Sequence, residues 1–198
     1  MKKVAKGKFG YTVSHRKWQI LKMLLYVALA LAIFIVGFIT TKTTKNVLSI
    51  VAICGALPIS KEMVGVIMSY KRKPMDNALY EQISAKAGNL EQIYELLFTT
   101  QEKSYSVEAV IIEGKDVICY TIDSKCDVSV LQKHLQRMLD ANGYKENIKV
   151  FKDLKKFLDR VGDMERREKE EIPYKENPVY PDLNRDQLIK HTLLALSI

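Results

Sequence analysis

The first 73 residues of this 198-residue chain contain almost no acidic side chains. Glu62 is the only one, whereas the same stretch carries 13 Lys and Arg residues. From Pro74 onward the balance reverses, because 22 Asp and Glu residues outnumber 18 Lys and Arg residues. The N-terminal part therefore contributes +12 and the rest of the chain −4, which together give the net charge of +8. Since the part after Pro74 is mildly acidic and repels phosphate groups, nucleic acid is not an expected partner.

Cysteine is also scarce, and its spacing argues against two classes of protein. Cys54, Cys119 and Cys126 form no CxxC pair and no cluster with histidine at metal-ligand spacing. This pattern is not typical of a disulfide scaffold or of a zinc site. A P-loop and the GxGxxG, HExxH, GxSxG and EF-hand patterns are absent as well. The sequence therefore predicts reduced, structural cysteines, no metal site and no cofactor.

The chain has one long apolar run. Residues 20–39 read ILKMLLYVALALAIFIVGFI, in which Lys22 is the only charge. About 20 helical residues span the roughly 30 Å hydrocarbon layer of a bilayer. Trp18 and Tyr26 lie toward its N-terminal end, where aromatic rings suit the interface. No small-x-small cleavage site follows, so the run predicts a membrane helix rather than a signal peptide.

A second apolar segment, residues 47–70, is interrupted by Pro58, Lys61 and Glu62. It either crosses the membrane with a kink at Pro58 or is re-entrant or interfacial. The short polar connector before it favours a crossing, as in an antiparallel helix hairpin. Ionisable residues within a membrane segment are functional candidates. For Lys61 and Glu62, pairing at the interface is the plainer interpretation.

Small residues in the same segment favour close helix contact. Gly55 and Gly65, with Ala52 and Ala56 nearby, allow two helix backbones to approach each other. The sequence leaves open whether the contact forms within one chain or between two copies.

Positive charge predicts the topology. The leader carries six Lys and Arg residues, and Lys71, Arg72 and Lys73 follow the second segment, whereas the connector holds only Lys42 and Lys45. Because positive residues accumulate on the cytoplasmic side, both termini are expected there. The prediction is a multi-pass protein of the cell membrane, with the lipid bilayer as its first partner.

The part after Pro74 predicts a small domain of alternating elements, so the whole chain is expected to be a membrane-anchored α+β protein. Apolar spacing of three and four residues predicts helices, and β-branched runs beside Gly114 predict a hairpin. The expected core is a three-stranded sheet covered by helices, with its second and third strands parallel. The predicted order is helices at 76–87 and 89–98, strands at 105–112 and 117–122, a helix at 127–141, a strand at 147–151 and a helix at 153–161.

Composition divides the chain into four parts. Residues 1–17 are a basic leader, 18–73 a transmembrane hairpin, 74–162 the α/β domain and 163–198 a charged tail with three of the five prolines. Such a tail is expected to be extended. Its end, from Asp186 to Ile198, predicts an amphipathic helix that docks on the domain, lies on the membrane or binds a partner.

One constellation has the residue types of a catalytic site. Glu108 lies on the first predicted strand, and Asp123-Ser124-Lys125 ends the second. An acid followed by D-x-K resembles the site of restriction-endonuclease-like nucleases. The resemblance implies that Glu108 and Asp123 hold a divalent cation while Lys125 stabilises developing charge. Polar residues of an ordinary turn are the competing interpretation.

Three functions are therefore compatible with the sequence. The first is a non-enzymatic binding or scaffold module at the membrane surface, which binds a protein partner or a second copy of itself. The second is a metal-dependent phosphodiester hydrolase that uses Glu108, Asp123 and Lys125. The third is a small transport accessory subunit, in which Lys61 and Glu62 act within an oligomer. The first is preferred, because no catalytic set is complete.

Overall fold

The computed structural model describes most of the chain as two compact units. One contains Met1–Val4 and Tyr11–Lys73, and the other contains Ala5–Gly10 and Pro74–Ile198. Arg72 and much of the charged tail, both singled out in the sequence, lie outside the described residues. The described residues are 4–43, 47–71, 73–100, 103–167, 172, 174 and 180–197.

The first unit is made of apolar helices. Helix α1 spans Tyr11–Thr41, α2 spans Val47–Cys54 and α3 spans Ala56–Lys71. Gly55 separates α2 from α3, and Pro58 lies in the first turn of α3, where its missing N–H costs little. Both α1 and the stretch from α2 to α3 are long and apolar enough to cross a membrane, which suggests membrane association.

The second unit is a mixed α/β domain. Its strands are β1 (Glu91–Thr99), β2 (Ser104–Glu113), β3 (Asp116–Tyr120) and β4 (Asn147–Phe151). Its helices are α4 (Asn77–Ala87), α5 (Val128–Ala141), α6 (Leu154–Glu165) and α7 (Arg185–Leu196).

The four strands form one sheet in the order β1-β2-β3-β4. The β1–β2 and β2–β3 pairs are antiparallel, and the β3–β4 pair is parallel. Gly114, with a φ of 57°, turns the chain between β2 and β3. The predicted hairpin and the predicted parallel pair are both confirmed, and α5 forms the crossover between β3 and β4.

Helices cover both faces of this sheet. On one face, α5 and α7 bury Leu131, Leu135 and Ile189 against the strands. On the other face, α4 and α6 bury Ile83 and Phe157. Because both faces are covered, the central strands are apolar on both sides. The terminal helix α7 docks on the sheet, which was one of the three positions predicted for it.

The predicted helix at 89–98 is wrong, because these residues form strand β1. The predicted sheet of three strands is accordingly corrected to four. The apolar spacing around Ile93 and Phe98 imitates a helical stripe for two reasons. The strand is buried on both faces, and Glu95, with a φ of 55°, interrupts the alternation of side chains. Tyr94 and Leu96 therefore reach opposite cores although they are two residues apart.

Three of the predicted helices begin where expected, at Asp76 for α4, Asp127 for α5 and Asp153 for α6. The Asp127 carboxylate accepts hydrogen bonds from the main chain at the start of α5, and Asp153 does the same for α6. Asp76 precedes α4, but its side chain makes no capping hydrogen bond. Gly88 ends α4 with a positive φ, directly after the predicted end at residue 87. Helices α5 and α6 each begin a few residues after the carboxyl end of a strand, α5 after β3 and α6 after β4.

Candidate functional site

The candidate site lies where β2 begins and β3 ends. Strand register places Ala109 opposite Tyr120, so Glu108 is next to the segment that follows β3. The Ile122 N–H donates to Oε2 of Glu108 at 2.9 Å, and the Ser106 hydroxyl donates to Oε1 at 3.2 Å. The carboxylate therefore fastens the end of β3 to β2.

The surroundings of Glu108 oppose its ionisation. The side chain is only 4% exposed, and this burial is the main cause that raises its pKa above the usual value. The negative charge of Asp123 raises the pKa further, whereas the hydrogen bonds from Ile122 and Ser106 lower it by less. Metal ligation requires an ionised carboxylate, whereas the burial of Glu108 favours its protonated form.

Asp123 and Lys125 form a local turn next to Glu108. Oδ1 of Asp123 accepts the Lys125 N–H at 3.0 Å, which is a turn closed by an aspartate side chain. The Lys125 side chain is exposed. The structure thus brings Asp123 close to Glu108. Lys125 contacts Asp123 through its main-chain N–H, and not through the ammonium group that the resemblance requires. Among the described residues, no group of three or more His, Cys, Asp or Glu side chains is placed to hold a metal ion.

The polar residues of the membrane candidates lie on α3. Lys61 is exposed and Glu62 is half-buried. The ion pairs found among the described residues include neither of them. Lys71 ends α3 and Lys73 is exposed just before the second unit.

Close contact between the apolar helices forms within one chain. A Cβ atom added at Gly55 would lie 3.5 Å from Cβ of Ala30 on α1, and one added at Gly65 would lie 3.1 Å from Nε2 of Gln19. Arg16 of α1 donates to the Ser69 carbonyl at 3.1 Å and lies 4.4 Å above the Tyr70 ring. The two glycines therefore serve the packing of this hairpin.

A buried ion pair was missed in the sequence. Arg185, in the first turn of α7, binds Oε1 of Glu146 at 2.5 Å and also donates to the Gly114 carbonyl. The Glu146 side chain is fully buried, and this burial raises its pKa although Arg185 and Lys115 lower it. The pair joins α7 to the loop before β4. Its members are 39 positions apart, and no local pattern in the sequence indicates the pair.

The N-terminal leader supplies a second unpredicted contact, inside the second unit. The Gly7 carbonyl accepts the Tyr94 N–H at 2.9 Å, so the leader lies along the outer edge of β1. Nζ of Lys6 donates to the carbonyls of Leu194 and Ser197 at 2.8 and 2.6 Å. Leu194 lies in the last turn of α7 and Ser197 follows the helix, so Lys6 caps this end of α7 together with the Ser197 hydroxyl, which donates to the Leu194 carbonyl at 3.1 Å.

No protein family, curated protein or solved structure matches this chain. Its function has to be argued from its own residues.

Proposed function

We propose that this chain is an integral membrane protein whose α/β unit is a binding or scaffold module at the cytoplasmic surface. The exposure of its apolar helices carries the proposal. In their most apolar windows, 6% of the residues of the first helix and none of the second are buried by the rest of the chain. A soluble protein covers such surfaces in a core, whereas a membrane helix covers them with lipid.

The proposed topology has two crossings with both termini in the cytoplasm. The stretch Val47–Tyr70 has 24 residues, which is enough for a complete crossing. Positive residues flank the pair of helices, and the connector has few. Membrane anchoring raises the local concentration of the α/β unit, so weak contacts suffice for binding.

Binding is favoured over catalysis by the state of the best catalytic candidate. Both oxygens of the Glu108 carboxylate accept hydrogen bonds from the protein, and the group is buried. An active carboxylate has to reach a substrate or a metal ion. Since helices cover both faces of the sheet, the surfaces left for partners are the outer helix faces and the strand edges.

Site-specific photocrosslinking in intact membranes tests this function. A crosslinking amino acid replaces one exposed lysine at a time, at Lys103, Lys133 or Lys149, and the adducts are identified by mass spectrometry. A binding module gives one defined adduct from one surface, either with another protein or with a second copy. A chain that remains an uncrosslinked monomer at all three positions contradicts the proposal.

A metal-dependent phosphodiester hydrolase is the second candidate. The proximity of Asp123 to Glu108, which contributes to the raised pKa of Glu108, favours it. Cleavage of a phosphodiester that requires Mg²⁺ or Mn²⁺, is lost in Lys125→Ala and persists in Lys103→Ala would support it. Activity that is equal in both variants, or absent from the parent chain, removes this candidate.

A further inference from the structure

The two outer strands of the sheet, β1 and β4, differ in whether other parts of the chain cover their free edges. At the β1 edge, the leader accepts the Tyr94 N–H, and Glu95 turns to a positive φ and accepts the Met75 N–H. Both features obstruct a further strand. At the opposite edge, β4 pairs only with β3 among the described residues. In the described part of the chain, the sheet thus closes one edge with its own chain and has no strand along the other.

The hydrogen-bond pattern identifies the groups that face outward on β4. The Asn147 N–H donates to Lys115, and the Phe151 carbonyl accepts from Thr121, so alternate residues of β4 face β3. Ile148 and Val150 lie between them and direct their main-chain groups away from the sheet. In the part of the chain that the structure describes, no hydrogen bond reaches these four groups from that side. Both residues pack into the apolar core, and their outward main-chain groups gain from a strand partner.

Exposed lysines surround this edge. Two acidic residues nearby are already engaged, because Glu146 pairs with Arg185 and Asp153 caps α6. The edge is therefore basic, although the chain from Pro74 onward carries four more acidic than basic residues. The exposed lysines are Lys145, Lys149, Lys152, Lys155 and Lys156.

Charge selects the occupant of the edge. If β4 of a second copy paired here about a two-fold axis, Lys149 of each copy would lie close to its equivalent, and like charges on paired strands are destabilising. An extended segment rich in Asp and Glu instead places its charges beside Lys149. Lysine on an edge strand also discourages aggregation, and that role alone predicts no binding of any peptide.

We propose that the β4 edge binds an extended acidic peptide, which adds to the sheet as a fifth strand. The main-chain groups of Ile148 and Val150 supply up to four hydrogen bonds, and the lysines select for acidic side chains. This inference rests on the proposed function, since it names the binding surface and the class of partner of that module.

Peptide binding to the full chain tests the proposal. The protein is placed in nanodiscs of zwitterionic lipid, so that anionic headgroups do not compete for the lysines. The probe is a fluorescein-labelled eight-residue peptide of alternating valine and glutamate, and the same peptide with lysine for glutamate is the control. Fluorescence anisotropy measures binding, and amide hydrogen exchange locates it.

The acidic peptide is expected to bind, the basic one is not, and the amides of Ile148 and Val150 become protected. Lys149→Glu replaces an attractive cross-strand pair by a repulsive one and is expected to weaken binding about tenfold. Lys103→Glu makes the same charge change in the β1–β2 turn, and its affinity is expected to stay within about twofold. Because both side chains are exposed, neither variant removes a core contact.

Three results overturn the inference: no binding of the acidic peptide, equal weakening by both variants, or binding without protection of the two amides. The proposed function can survive them. A defined photocrosslink from Lys103 or Lys133, without one from Lys149, would keep the binding module and move its partner to another surface. Absence of every photocrosslink together with failure of peptide binding rejects both proposals.

Discussion

Arg185 and Glu146 form the most consequential single contact of the α/β unit. Arg185→Met leaves the fully buried Glu146 carboxyl without its cation, and breaking a buried pair in this way costs about 3–5 kcal/mol. We expect that loss in the free energy of unfolding, measured by pulse proteolysis in urea on the full chain in micelles. Arg167→Met removes the ion pair between Arg167 and Asp116. Because the Arg167 side chain is 52% exposed, this variant should lose at most about 1 kcal/mol in the free energy of unfolding.

The double variant Arg185→Met, Glu146→Gln separates charge from packing. Because glutamine is neutral, it removes the unpaired charge and should recover part of the lost stability. If Arg185→Met and Arg167→Met lower the free energy of unfolding equally, the buried pair does not stabilise the unit more than an exposed one.

Glu108 predicts a pH dependence of stability. Its pKa is raised in the folded protein, so its protonated form is favoured there, and folding stability is lost as pH rises through the folded pKa. Glu108→Gln keeps both hydrogen bonds, with its amide oxygen accepting from Ile122 and its amide nitrogen donating to Ser106. The variant should therefore match the parent at acidic pH and become more stable than it toward neutral pH.

Unfolding measured from pH 4 to pH 7 checks this dependence, with Glu81→Gln as the control at an exposed carboxyl on α4. A Glu108→Gln variant that is less stable than the parent at pH 7 would mean that the ionised carboxylate has a favourable role. That outcome would support the hydrolase function, in which Glu108 must be charged.

At the scale of elements, the leader and α7 stabilise each other. Gly7 has a φ of 82°, and a Cβ there would lie 2.5 Å from Leu194 Cδ2 and 2.8 Å from Ile93 Cγ2. Gly7→Ala adds backbone strain of about 1–2 kcal/mol and pushes on α7. We expect faster amide hydrogen exchange at Leu193 and Leu194.

Gly10→Ala is the matched control for this prediction. Gly10 has a φ of 79°, but nothing lies within 4 Å of its Cβ position, so the variant has the strain without the contact. Equal exchange in α7 for the two variants would mean that the leader does not support the helix.

Local patterns predicted most elements, and long-range contacts explain the failures. The β-branched runs beside Gly114 predicted the hairpin, and apolar spacing predicted α5, α6 and the parallel β3–β4 pair. Strand β1 was predicted as a helix because burial on both faces and the kink at Glu95 hide its alternation. A pattern read along the chain cannot show that a segment is covered from two sides.

For the candidate site, too, local patterns predicted one part and long-range packing decides the other. The proximity of Glu108 and Asp123 follows from the hairpin, since neighbouring strands bring their ends together. The burial of Glu108 does not follow from the hairpin, because a strand pattern does not show how deeply its polar residues lie in the fold. Lys6 and Arg185 were likewise read as leader and tail charges, although each contacts an element that only the fold brings near.

At the scale of the whole molecule, the number of membrane crossings decides where the α/β unit works. Two crossings place this unit and the leader on the cytoplasmic side. If the stretch Val47–Tyr70 is re-entrant, the chain crosses once, and the α/β unit would lie on the opposite side from the leader. That arrangement would break the contacts of Lys6 and Gly7 with the α/β unit, so these contacts favour two crossings. A measurement of sidedness tests this.

Cysteine labelling with a membrane-impermeant maleimide supplies that measurement. Thr43→Cys marks the connector and Lys103→Cys marks the α/β unit, each in a chain with Cys54→Ala. Cys119 and Cys126 are buried and give the slow background, which the parent with Cys54→Ala measures. For two crossings, Thr43→Cys reacts in intact cells, whereas Lys103→Cys reacts only after the membrane is opened, because the positive flanks stay inside. Reaction of both in intact cells means one crossing, which would place the basic β4 edge outside the cell and require its acidic partner to be there too.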